Sequence, residues 1–432
     1  MVRSDVNNEE PLIRQISTTG IWLLAVNGLI GAGIFGVPAG AAALAGIYSP
    51  LIFLGCGVLL TAVVLCFAEL ASYFRGTGGP ILYIGHAFGR FAGFQAGWAF
   101  YFARLTAFAA NINLVVTSIA YFWPPAGTGF VRVLLLGAIV LLLTVPNVIG
   151  TKQGMRSIAI LTLLKFLPLL LLVGVGIAWL SPSAFPVATT PFPGIENIGT
   201  AALLVVYAFV GWEAAVVPAG ETRNPARDMP RALLLAIGVV TRLYVLVQAI
   251  SVAVLPDLAS SKRALVDVGA ALFGATGALL MTVGVVVSVG GNIASTMVTA
   301  PRLTYSLARE GSLPAWFAGV HPQFRTPARS IIVFAVLVFA LAVYGGFLWL
   351  AAMSALVRVL IYMACIASMP RLRKEFGNAP DRFRLPGGWA IPLAAFVVSG
   401  LLLLQIEIDS VLITAAFLVT GTVLYWLVRR RA

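Results

Sequence analysis

Runs of twenty or more mostly apolar residues recur along the whole chain, separated by short polar segments. That pattern decides which solvent the fold must suit. About 20 such residues in helical form cross the hydrocarbon of a bilayer. Composition agrees, with 60% of the 432 residues hydrophobic and 10% charged, against roughly 45–50% and about 25% in an average soluble domain. One soluble molecule cannot hide that much apolar side chain from water. A soluble enzyme, a disordered scaffold and a secreted disulfide domain are thereby excluded. An outer-membrane barrel would show alternating strands of about ten residues instead.

Twelve spans are expected, near 20–44, 49–71, 86–122, 131–149, 155–180, 197–218, 231–255, 268–306, 328–345, 347–369, 389–405 and 408–428. An even number puts both termini on one side, and Lys and Arg decide which side that is. With the N-terminus cytoplasmic, most of the 28 Lys and Arg residues fall in cytoplasmic segments. Only Arg132, Lys262 and Arg263 lie outside, and Arg104, Lys165, Arg242 and Arg358 lie within spans. The net charge of +13 therefore reads as a positive-inside bias and not as a nucleic-acid face. Cys56, Cys66 and Cys365 sit inside spans, and His86 and His321 stand far apart. Neither a disulfide framework nor a metal site follows, and no cofactor is expected. Residues 1–17 are polar, so no cleavable signal peptide is expected. The expectation is one membrane domain over 1–432, in a bacterial inner membrane with both ends cytoplasmic.

Two spans carry unusual glycines. The first reads Asn27-Gly-Leu-Ile-Gly-Ala-Gly-Ile-Phe-Gly-Val-Pro38, and the sixth reads Tyr207-Ala-Phe-Val-Gly-Trp-Glu213. Small residues also serve plain helix packing in membranes. Breaks in the first span and again five spans later are what an inverted five-helix repeat would produce. A break frees backbone groups at mid-membrane, which is tolerable only where they line a cavity or bind something.

These residues carry a resemblance. Gly31-Ala-Gly-Ile-Phe35 is similar to the G-[STA]-G-I-F signature of the amino acid–polyamine–organocation permeases. Phe209-Val-Gly-Trp-Glu213, Gly220-Glu-Thr-Arg-Asn-Pro225 and Pro230-Arg-Ala resemble that family's sixth span and the loop after it. Ala68-Glu-Leu-Ala71 with Gly78-Gly-Pro80, Lys165-Phe-Leu-Pro-Leu169, and Arg302 with Ala308-Arg-Glu-Gly-Ser-Leu-Pro314 match in family order. The resemblance implies an all-α membrane fold of twelve helices. Helices 1 and 6 are broken within a five-plus-five inverted repeat (about 20–180 and about 197–369), and two further helices follow at about 389–428. It also implies an amino acid transporter working by alternating access. The substrate carboxylate would meet backbone donors of the G-x-G turn, here Ala32 and Gly33, at the positive end of a half-helix. The amino group would meet freed carbonyls of Leu29, Tyr207 and Val210. Many members carry Ser or Thr where this chain has Ala32, which leaves only backbone to bind there. A β-branched residue at Gly33 is expected to crowd that turn.

Charges inside a membrane cost roughly 2.5–3.5 kcal/mol each on insertion scales and need a reason. Lys165 lies deep in the fifth span; it either snorkels or, as the resemblance implies, sits near spans 1 and 8 and couples transport to protons. A buried lysine gives up its proton more readily than one in water. Arg104, Phe108 and Asn111 fall at i, i+4 and i+7, and that face matches the family's substrate-facing strip. Arg104 can serve structural pairing or substrate contact equally. Glu213 can pair with a base, cap donors or titrate as a second coupling residue. Glu69 reads as half of a structural ion pair, and Arg242 and Arg358 as helix or interface contacts. Tyr207 is an aromatic gate or a packing residue. Asn292 and Thr296, one turn apart, either line the pocket or bond between helices.

The expected function is proton-coupled, sodium-independent symport of neutral amino acids, with cationic ones disfavoured by Arg104. Its partners are the amino acid, protons and the bilayer. Exchange or export on the same fold is the alternative. A non-transporting sensor or partner subunit is an alternative of another class. A channel would want a continuous polar lining, and an enzyme convergent catalytic groups that this chain lacks.

Overall fold

Hydrocarbon offers no hydrogen bonds, so a backbone crossing it must satisfy its own polar groups, and a helix does this within one segment. The computed structural model describes residues 16–74, 78–150, 155–181, 183, 190–217, 222–377 and 382–430. Among these it holds fourteen α-helices and no β-strand. Arg3, Arg14, Arg75, Lys152 and Arg431 of the charge bias, and Gly220 and Glu221 of the loop motif, lie outside the described residues.

The first apolar run is two helices, α1 (Thr18–Leu29) and α2 (Ala32–Ala45), parted at Ile30 and Gly31. Then come α3 (Ser49–Tyr73), α4 (Pro80–Phe88), α5 (Arg90–Ile119), α6 (Gly129–Ile149) and α7 (Met155–Gly176). The sixth run is also interrupted: α8 (Ile195–Ala208) stops short of a 3-10 turn at Trp212–Ala215. The remainder is α9 (Pro225–Val254), α10 (Ala264–Arg309), α11 (Ala328–Tyr344), α12 (Phe347–Phe376), α13 (Ala390–Leu403) and α14 (Ile408–Arg429). Eight helical segments are long and apolar enough to cross a membrane, and four more apolar helices have 10–17 residues. The chain is a multi-pass membrane protein.

Two boundaries differ from the sequence expectation. The third span was expected from residue 86, but Gly89 at φ +95° ends the separate helix α4. A positive φ is available to glycine at little cost and breaks the helical path there. The eighth span, expected over 268–306, belongs to a longer helix that kinks at Gly274, where φ is 62° and ψ −149°.

Burial separates inner from outer helices. The most apolar window of α5 is 83% buried and that of α12 is 72%, against 17% for both α6 and α14. The inner pair packs together, with α10 also on α5 and α3 on α9. Polar side chains tie the elements where lipid offers no competing partner. Gln248 Nε2 of α9 donates to Pro38 O (3.2 Å) and to Ser49 Oγ (2.8 Å). Glu69 forms the structural ion pair expected of it. Arg373 donates to both of its oxygens at 2.6 and 2.9 Å, with Tyr73 Oη and Leu385 N as further donors.

Candidate functional site

The site grows from the two interruptions. At the end of α1 the backbone turns extended at Ile30, and α2 restarts with Gly31 as its N-cap and no side chain capping it. The last carbonyls of a helix and its first N–H groups have no partners within it. Here the carbonyls find others: Asn27 O accepts from Lys165 Nζ (3.0 Å), Leu29 O from Tyr244 Oη (2.8 Å) and Ile30 O from Ser288 Oγ (3.3 Å). Ala32 and Gly33, at the start of α2 where the N–H groups have no side-chain cap, line a cavity.

The second interruption presses against the first. Gly211, at φ +109°, turns the chain out of α8. A Cβ on Gly28 would stand 2.1 Å from Gly211 O, and one on Gly211 would stand 2.4 Å from Gly28 O. The two broken backbones are in direct contact, and only a glycine pair permits it.

Around this crossing lies a cavity of about 140 Å³. Leu29, Ala32, Gly33, Arg104, Asn111, Tyr207, Val210 and Thr296 all line it. Phe108 does not: it is fully buried against Phe334 of α11, ring centroids 5.6 Å apart. The expected strip on α5 is corrected to Arg104, Ala107 and Asn111. At 100° per residue, Arg104 and Asn111 nearly coincide, and the cavity takes the neighbour on the Ala107 side of that line. Tyr207 Oη donates to Asn111 Oδ1 at 2.8 Å, bridging α8 and α5 across the cavity. A larger cavity of about 970 Å³ shares Phe100, Arg104 and Ala214 with the first and continues to Arg90, Arg302 and Arg429.

Gly33 needs a different reading from the one its sequence suggests. A Cβ there would stand 2.3 Å from Ala208 Cα. Its smallness seats α2 against α8, so a β-branched residue would part the helices before any ligand arrived.

Lys165 lies beside the cavity and is fully buried. Its Nζ donates to Asn27 O, to Asn27 Oδ1 (2.8 Å) and to Asn292 Oδ1 (2.9 Å), so α7 is joined to α1 and α10. Asn292 thus bonds between helices and also lines the cavity, as its neighbour Thr296 does. Glu213 is buried, with Gly211 N donating to Oε2 at 2.6 Å and Tyr362 Oη to Oε1. Arg358 Nε stands 3.3 Å from the same Oε1. Arg358, expected to be a helix or interface contact, instead lines the cavity and braces the second break through Glu213. Its signal in the sequence was that an acid and a base within spans tend to pair. Arg242 is exposed. Arg104 Nη1 donates to Thr299 Oγ1 at 3.1 Å, and its guanidinium stands 4.8 Å over the Phe100 ring.

Chemically, the cavity offers uncapped helix donors at one end, backbone carbonyls near the crossing and a guanidinium on the side of the larger cavity. The first two match the carboxylate and ammonium of a zwitterion. The amino acid permease family model matches residues 16–428 of the chain. The serine/threonine exchanger of Bacillus subtilis is 30% identical, over 70% of each chain. The branched-chain amino acid permease and the methylthioribose transporter of the same organism are 27% and 26% identical, each over 98% of this chain and 95% of theirs.

Proposed function

The chain belongs to the amino acid permease family, so it is a membrane transport protein and not an enzyme, and we propose that it carries amino acids by proton-coupled, sodium-independent symport. The observation behind this reading is the set of three oxygens around Lys165 Nζ. A protonated lysine has three donors and fills all three. A neutral amine has two hydrogens and must release at least one oxygen. Asn27 and Asn292 sit on α1 and α10, so loss of the proton loosens the tie between the helices on either side of the cavity. A proton that biases one packing over another is what coupling requires. Glu213 is assigned to bracing, because its oxygens are taken by Gly211, Tyr362 and Arg358.

In this reading α1 with α2 forms the first of twelve spans, and α8 with its 3-10 turn forms the sixth. The spans are arranged as two inverted five-helix repeats with two helices after them. Both termini are cytoplasmic in a cell membrane. The larger cavity reaches Arg90, Arg302 and Arg429, which the charge bias assigns to the cytoplasm, and this reading takes it as the cytoplasmic vestibule. The carboxylate sits on the donors at Ala32 and Gly33, and the ammonium near the carbonyls of Leu29, Tyr207 and Val210. Arg104 keeps cationic side chains out, since a like charge in the pocket is costly. Neutral and acidic amino acids remain.

Uptake of single labelled amino acids into proteoliposomes tests the reading. Accumulation should follow an imposed pH gradient and be the same with or without sodium. No uptake of any amino acid in either condition, even with amino acid loaded inside, would leave a non-transporting sensor or partner subunit as the better account. Exchange is the second reading, supported by the 30% identity to a serine/threonine exchanger. It predicts uptake only when amino acid is loaded inside.

A further inference from the structure

We infer that Arg104 selects for a second carboxylate, so that the preferred substrates are acidic amino acids; this rests on the transport reading above. The inference comes from charge balance around the cavity. Arg358 lines it, and its charge is met by Glu213 at 3.3 Å. Lys165 has its three donors on three oxygens. Arg104 has a hydroxyl, Thr299 Oγ1, and an aromatic face, Phe100, but forms no ion pair among the described residues. Its Nε is buried without a partner.

Arginine cannot discharge by losing a proton. A guanidinium at the join of a membrane cavity and its vestibule therefore keeps its full charge in a poor solvent for it. The count leaves one cation over even when Lys165 is neutral. A zwitterion does not answer it, since its carboxylate is drawn to the uncapped start of α2 and its ammonium to carbonyls. A side-chain carboxylate would answer it, because the planar guanidinium takes a carboxylate through two parallel hydrogen bonds. The inner cavity is about 140 Å³ and Arg104 lines both it and the larger one, so the acids tested are short ones, aspartate and glutamate. Two relatives are named for serine/threonine and branched-chain amino acids, whose side chains are neutral. The inference therefore separates this chain from them.

Four labelled probes, L-aspartate, L-glutamate, L-serine and L-leucine, are taken singly into proteoliposomes holding the full chain, and their half-saturating concentrations are compared. The better of the two acids should saturate at a concentration at least ~10-fold lower than either neutral probe, the size of a charge-assisted pair. Arg104→Gln should cut the ratio of acid to neutral preference by ~10-fold or more. Arg104→Lys, which keeps the charge and loses the fork, should fall between. A single symmetric size-exclusion peak in detergent, matching the parent, shows that each variant is folded. An arginine that is merely hydrated from the vestibule would leave the acid-to-neutral ratio unchanged in Arg104→Gln, and that result overturns the inference. So does a wild-type preference for serine or leucine, which leaves the transport reading intact. Failure of all four probes overturns the inference, and the transport reading falls with it only if no other amino acid is taken up with or without amino acid loaded inside.

Discussion

Lys165→Ala is expected to abolish pH-gradient-driven accumulation while leaving exchange of labelled for unlabelled substrate across the membrane. The lysine does not line the cavity, so the substrate donors and carbonyls stay in place. What disappears is the one titratable group, among the described residues, bonded to both α1 and α10. Without it, neither packing is favoured by a proton, and the carrier equilibrates substrate without concentrating it. Sodium should make no difference to parent or variant. The measurement is uptake with and without an imposed pH gradient, followed by counterflow in the same vesicles. Undiminished accumulation by Lys165→Ala would end the assignment of coupling to this residue.

Gly211→Ala is expected to be among the most damaging single-methyl changes at the described glycines. The new Cβ would stand 2.4 Å from Gly28 O, and φ at this position is +109°. Overpacking costs typically about 1–3 kcal/mol, and a side chain held at positive φ adds about 1–2 kcal/mol. Transport should fall to background, and the melting temperature in detergent should drop by several degrees. Gly238→Ala in α9 is the matched control: nothing lies within 4 Å of its Cβ. Alanine there should hold or raise stability, because it favours helix by about 1 kcal/mol over glycine. Equal behaviour of the two variants would mean that the contact between the broken helices is not a constraint.

Much of this architecture was legible in the sequence because lipid imposes few solutions. Long apolar runs become helices, and the glycines of Asn27–Pro38 and Tyr207–Glu213 stand where the helices stop. Lys165 was legible too, since a charge that deep must find oxygens. What escaped were relations between distant segments. Nothing in a one-dimensional pattern places Gly28 against Gly211, or shows that Gly33 is small for the sake of Ala208. Arg358 looked like a stray charge until its pairing with Glu213 brought it to the cavity. Helical spacing put Phe108 and Ala107 equally close to the line through Arg104 and Asn111, on opposite sides of it, and only the position of α11 decides which of them turns away. The break between α4 and α5 was hidden inside an apolar stretch, because Gly89 reads equally well as a packing residue.

The central claim is that protons travel with the amino acid and that no sodium is needed. A pH-sensitive dye trapped in proteoliposomes measures this directly when unlabelled amino acid is added outside in sodium-free buffer. The account predicts that the lumen acidifies only when substrate is present, and that vesicles carrying Lys165→Ala stay flat. Labelled substrate entering with no change in lumenal pH, or entering only when sodium is supplied, would contradict it.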